Sequence, residues 1–255
     1  MLAFNLSLSF ADNEGAIDTP RFTLYVQHSQ SNEKSNLAVK DLSARAISTL
    51  ERTYEELSRI LKVTPQQKVV LRFLPQEEFS RATGAPGWTN AMYFRGEITM
   101  PLNDGARLGG KELDRALRHE YVHAVVAEIS TQRCPAWLDE GLAQLIEGKP
   151  NSLLGPALRE WIAANDAIPF EWLESGFTTL SYDVVPAAYA QSLFATRTLV
   201  NRHGFSAITK YLQFLARGES TDEAFQLAFR TNIQDFERQL TKQIKRWSTS
   251  EQNQP

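Results

Sequence analysis

Hydrophobic residues in this chain change their spacing from two to about 3.6, and the change divides it. Near the N-terminus Leu2, Phe4, Leu6, Leu8 and Phe10 alternate with smaller or polar residues, and Phe22, Leu24 and Val26 alternate again. Both runs read as strands with one buried face, joined through a turn over Ala11 to Gly15. Residues 28 to 35 are polar and loop-like. From Asn36 to Leu61 the positions Val39, Leu42, Ala46, Leu50, Tyr54, Leu57 and Leu61 recur every three or four residues, which predicts one long amphipathic helix with a charged outer face. Lys68 to Leu74 is a buried strand that stops at Pro75. A short helix follows from Gln76 to Gly84. Two further β-rich runs, Ala91 to Phe94 and Glu97 to Met100, meet at Arg95-Gly96 as a tight hairpin.

After the turn signals Asn103-Asp104-Gly105 and Gly109-Gly110 the pattern is helical to the end. Lys111 to Ile129 carries the buried stripe Leu113, Leu117, Tyr121, Ala124 and Val125. Pro135 breaks the chain, and Trp137 to Ile146 forms a second helix, stopped near Gly148 and Pro150. Ser152 to Ala164 is another, and a loop-rich stretch covers Phe170 to Pro186. Pro186 opens a helix that Gly204 closes. Gly218 ends the next, Ser220-Thr221-Asp222-Glu223 is a capping box, and Asn232 caps a last helix to Trp247. The tail from Ser248 is polar and frays. The expected fold is α+β, with a small N-terminal β-sheet lobe with helices over residues 1–110 and a mainly helical C-terminal lobe over 111–255, one domain overall.

Composition narrows the function classes. In 255 residues, 42% are hydrophobic, enough for a sizeable core. A net charge of -3 with interspersed signs points away from nucleic acid and membrane surfaces. No apolar run approaches the length of a transmembrane helix. The single cysteine, Cys134, excludes an internal disulfide framework; it reads as a small buried hydrophobe, with a fourth metal ligand as the alternative. The N-terminus has no Lys or Arg before Arg21 and alternates like a strand, so a signal peptide is not evident. Loss of a targeting segment would make the chain periplasmic or secreted, and the compartment stays open. Nothing in the sequence bears on oligomeric state.

The chemistry concentrates in His119-Glu120-Tyr121-Val122-His123. On a helix, residues four apart are separated by about 400° of rotation and roughly 6 Å of rise, so both imidazoles share one face. Glu120 lies about 100° round from His119, placed to act on water at a metal rather than to ligate. Glu140, in Trp137-Leu138-Asp139-Glu140-Gly141-Leu142-Ala143, offers a carboxylate from the next helix. Two histidines and one glutamate would hold Zn2+ with a fourth position open to water, the arrangement of a catalytic rather than a structural site. Zinc brings the pKa of such water from about 16 toward 7. Glu120 is then the general base, and amide hydrolysis is the expected reaction.

These residues resemble the gluzincin metallopeptidases, in particular the small peptidase MA-like domains. The likeness extends to Tyr189-Ala190-Gln191-Ser192 and to Arg202-His203-Gly204. It implies zinc on His119, His123 and Glu140, Glu120 as catalytic base, and an active-site cleft between the two lobes with the C-terminal helices as its second wall. By the same resemblance Tyr189 supplies a second donor to the oxyanion, with Tyr182 and His203 behind it; a charge at a helix end is the other reading of His203. His28 carries no signal. In that family the strand before the metal helix runs along the cleft, which makes the 91–100 hairpin a candidate substrate shelf or a plain edge hairpin. Asn90-Ala91-Met92-Tyr93 lacks the glutamate of the aminopeptidase Gly-x-Met-Glu-Asn segment, so a peptide or protein endopeptidase is preferred. Gln144, one turn after Glu140, stands where the family more often has an acid; its amide oxygen is expected to accept an imidazole N–H, the alternative being a solvent-facing residue. That softer partner suits a second reading, a non-catalytic peptide-binding or scaffolding domain that retains the zinc site, whereas Glu120 suits the enzyme.

Overall fold

A computed structural model describes residues 16–27, 33–84, 89–102, 110–148, 151–177 and 180–250. The expected strand at Leu2 to Phe10, the turn after it, His28 and the Asn103-Asp104-Gly105 turn lie outside them. The elements run β1 (Ala16–Asp18), β2 (Phe22–Val26), α1 (Glu33–Leu61), β3 (Val69–Pro75), α2 (Gln76–Thr83), β4 (Met92–Phe94), β5 (Glu97–Leu102), α3 (Gly110–Ser130), α4 (Ala136–Ile146), α5 (Leu154–Ala164), α6 (Phe170–Leu173), α7 (Val185–Ala216), α8 (Thr221–Phe229) and α9 (Ile233–Ser248). The fold is α+β: a mixed five-stranded sheet with helices, then a mainly helical part. Two compact units divide it, residues 1–53 with 66–124 and residues 54–65 with 125–255, cut inside α1 and inside α3.

The first unit is built on the sheet, ordered β1-β2-β3-β5-β4. β2, β3 and β5 are mutually parallel, and β1 and β4 are antiparallel edges. The registers stack Leu24, Leu71 and Ile98 in one row and Val26, Phe73 and Met100 in the next, all buried. Alternate residues face the other way. There Arg72 lies over the Tyr25 ring and pairs with Glu97 at 3.1 Å, so one sheet face is apolar and the other polar. Arg95 and Gly96 have φ of 47° and 90°, the two positive values a two-residue hairpin turn of type I′ requires.

The first part of α3, to Ala124, belongs to this unit. Arg45 of α1 donates to both carboxylate oxygens of Asp114, at 3.0 and 2.9 Å, and Thr49 adds a third bond at 2.8 Å. Gly110, the first residue of the helix, leaves room for the Arg45 guanidinium, from which a Cβ would lie only 1.9 Å. Further along, Tyr121 packs edge-on against Phe22 with ring centroids 5.3 Å apart. Leu113, Leu117, Tyr121, Ala124 and Val125 are buried as the spacing predicts, but so are Val122 and Val126. The second half of α3 is therefore covered on more than one side.

In the second unit Trp137 stacks on Phe170 at 4.4 Å, and Phe170 on Phe236 at 6.0 Å. The loop expected before Pro186 contains the short α6, which exists to present Phe170 to that stack. Gly204 adopts φ 74° and ψ 167° inside α7, so the helix is interrupted where the sequence expects it to end. Both expected caps form: Ser220 and Glu223 make the reciprocal box, and Asn232 accepts from the Asp235 amide. No helix among the described residues is long and apolar enough to cross a membrane.

Two outcomes follow. Leu71→Ala, in the middle of the apolar row, lowers stability by about 3 kcal/mol, read as a lower denaturant midpoint at unchanged slope. The Asp114 carboxyl is held below the usual range first by its Arg45 hydrogen bonds, then by Thr49 and the charges of Arg45 and Arg52, against desolvation. A depressed carboxylate contributes stability above its unfolded value, about 3.9, which is lost as pH falls through the folded one. Asp114→Asn therefore flattens the fall in melting temperature between neutral pH and pH about 3.

Candidate metal centre

Helix geometry supplies the first half of the site. His119 and His123 stand four residues apart on α3, with ring centroids 4.9 Å apart and planes at 77°. Both are half-buried, so the pair is neither sealed in the core nor loose on the surface. α3 ends when Thr131 and Gln132 both take positive φ, 51° and 60°. Gln132 N–H reaches back to the Ala127 carbonyl at 2.8 Å, closing the helix end as a left-handed cap does. Arg133 then donates to the carbonyls of Leu215 and Glu219 at 2.7 and 3.1 Å, and Pro135 in extended conformation starts α4.

α4 brings Glu140. One ligand atom each from His119, His123 and Glu140 lie within 4.8 Å of one another. Tetrahedral ligands at zinc-like bond lengths stand about 3.4 Å apart, so a small inward adjustment of side chains would close them on one ion. Two imidazole nitrogens and one carboxylate oxygen are also a donor set suited to a borderline-soft divalent cation, with a coordination position left over. The group could hold a metal. Cys134 is not part of it: burial pushes its thiol well above the ordinary range, and its Sγ contacts the Pro135 carbonyl at 3.6 Å. It is half-buried in the link between α3 and α4.

Glu120 is 8% exposed, an environment that penalises a carboxylate unless donors meet it. One donor is the Tyr93 backbone N–H, 2.6 Å from Oε2. This contact follows from the hairpin. With a two-residue turn, Phe94 and Glu97 are the closing hydrogen-bonded pair, so Tyr93, opposite Ile98, is a non-hydrogen-bonded position whose N–H points off the sheet edge. The phase was readable from Arg95-Gly96; which group would meet the amide was not.

Gln144 departs from expectation. It is buried, not solvent-facing, and its Nε2 donates to the Glu140 carbonyl at 3.2 Å and the Tyr189 carbonyl at 3.0 Å. Its amide oxygen accepts no hydrogen bond, so the expected acceptance of an imidazole N–H is absent. Two carbonyl acceptors around one end of the amide fix which end carries the nitrogen.

Tyr189 lies in the first turns of α7, half-buried, its ring edge-on to Phe177 at 4.9 Å. Tyr182 is 80% exposed. His203 packs against Phe229 at 5.5 Å, and burial followed by the Arg202 charge lowers its pKa. The lowered pKa works against the reading of it as a helix-end charge.

A family model described as the Peptidase MA superfamily matches residues 106–246, a span that contains both histidines, Glu120, Glu140 and Tyr189. No curated protein matches the chain significantly. The match covers more than half of the sequence and coincides with the helices that carry the His–His–Glu group, and the chain belongs to the Peptidase MA superfamily.

Proposed function

We propose that this protein is a zinc-dependent metallopeptidase that hydrolyses internal bonds of peptides or proteins. The observation that carries the reading is the convergence of His119, His123 and Glu140 next to a buried glutamate that the helix turns away from the ligand face. Family membership supports a peptidase, and the His2Glu donor set supports zinc. When bound, zinc supplies Lewis-acid polarisation of a scissile carbonyl and of water.

His119, His123 and Glu140 bind. Glu120 takes the proton from the attacking water and returns it to the departing amine. Its Oε2 accepts from the Tyr93 amide at 2.6 Å, which helps orient the carboxylate. The peptide carbonyl gains negative charge as it becomes tetrahedral, and the Tyr189 hydroxyl donates to that oxygen. Asn90-Ala91-Met92-Tyr93 offers no carboxylate to hold a substrate's terminal amine, which favours internal cleavage.

Glu120→Gln retains one equivalent of zinc by metal analysis while hydrolysis of a mixed peptide library drops by roughly 10²- to 10⁴-fold. Cleavage at the parental rate by this variant would refute the base assignment. Chelation abolishes the parent's activity and added zinc restores it. Tyr189→Phe lowers kcat by about 10²-fold with KM little changed; an unchanged kcat removes Tyr189 from the reaction.

A further inference from the structure

The contact between α4 and α7 is unusually close at one point. A Cβ on Gly141 would fall 2.0 Å from Thr196 Oγ1 and 2.4 Å from the Ser192 carbonyl oxygen, so the α4 backbone lies directly on α7. Tyr189, Ser192 and Thr196 are spaced by three and four residues and share one face of α7; Gly141 and Gln144, three apart, share the face of α4 that meets it. The two faces meet at Gly141, and one turn along, the Gln144 amide spans from the Glu140 carbonyl to the Tyr189 carbonyl.

We infer that Gln144 is a positioning residue that locks the third metal ligand and Tyr189 into one two-helix unit, and that this site requires an amide and excludes an acid. The inference rests on the peptidase reading for the use of the Tyr189 hydroxyl, but not for the tie itself. Both acceptors are backbone carbonyls, so the side chain must present two N–H groups from one nitrogen, and a glutamine reaches both. A carboxylate in the same place would set one of its oxygens against two carbonyl oxygens in a buried setting. Protonated, it could replace only one of the two bonds.

An acid at the position after the ligand glutamate would serve a different purpose, accepting from a ligating imidazole and raising its basicity. The two roles predict opposite signs for one substitution. If Gln144 positions Glu140 and Tyr189 through their carbonyls, Gln144→Glu disturbs α4 and weakens zinc binding. If the position acts on a histidine, the same change strengthens it.

The test measures zinc affinity of the full chain by competition with a chromogenic chelator, and amide hydrogen exchange over residues 185–196. Gln144→Glu weakens zinc binding by roughly tenfold. Gln144→Met, which conserves volume and deletes both bonds, also weakens it and speeds exchange over 185–196. In turnover, Gln144→Met lowers kcat at constant KM, and combined with Tyr189→Phe it loses no more than Tyr189→Phe alone, as expected when both changes act through one group. Tighter or unchanged zinc binding by Gln144→Glu overturns the proposal. Should that variant not fold, Gln144→Met decides, and parental affinity and exchange in it overturn the proposal equally. A parent without hydrolytic activity sinks the peptidase reading, while zinc affinity and exchange still decide the role of Gln144.

Discussion

Burying a carboxylate costs several kcal/mol unless hydrogen bonds replace its water, and Glu120 is buried on a helix whose neighbouring positions are Tyr121 and Val122 in the core. The Tyr93 N–H meets that requirement at 2.6 Å, and a hydrogen bond to a charged acceptor contributes about 1.5–3 kcal/mol. The contact binds two elements of different origin. β4 supplies the amide because a two-residue turn sets its phase, and α3 carries the acid that this amide meets.

Every polar group of the candidate site stands on a regular element, or is held by one. The first turn of α3 is tied to α1 through Arg45, Thr49 and Asp114, and its middle rests on Phe22. α4 is held by the Trp137–Phe170–Phe236 stack at its start and by the glycine contact with α7 in its centre. Ligand sets tolerate only small displacements, and helices fixed at two points along their length supply that rigidity better than loops. Gly141 illustrates the cost of such closeness: a residue poor at stabilising helices sits mid-helix because no side chain fits.

Local patterns were legible wherever a segment's structure depends on its own period. The β2 alternation, the β3 strand ending at Pro75, the long α1, the hairpin at Arg95-Gly96, the paired histidines and the Ser220 and Asn232 caps all appear as read. Gly204 stops the regular helix as expected. Less was legible where burial comes from several sides. α3 reads as a one-striped helix, yet Val122 and Val126 are also covered, because the sequence gives a helix's apolar positions but not how many neighbours it will meet. The stretch from Phe170 to Pro186 reads as loop-rich, since the four-residue α6 has no period to detect.

For the candidate site, the sequence by itself determined the donor types, the i to i+4 pairing of His119 and His123, and the offset of Glu120, because one helix fixes all of these through its own rotation per residue. It also supplied Glu140 as a third donor of suitable chemistry. Tertiary structure alone decided that ligand atoms of His119, His123 and Glu140 lie within 4.8 Å of one another, that the Tyr93 amide meets Glu120, that Cys134 is not in that group, and that Gln144 donates to carbonyls instead of accepting from a ring. Each of these depends on where a second element lies and how it is rotated, quantities set by non-local packing such as the Gly141 contact and the Trp137 stack, which no short-range spacing encodes.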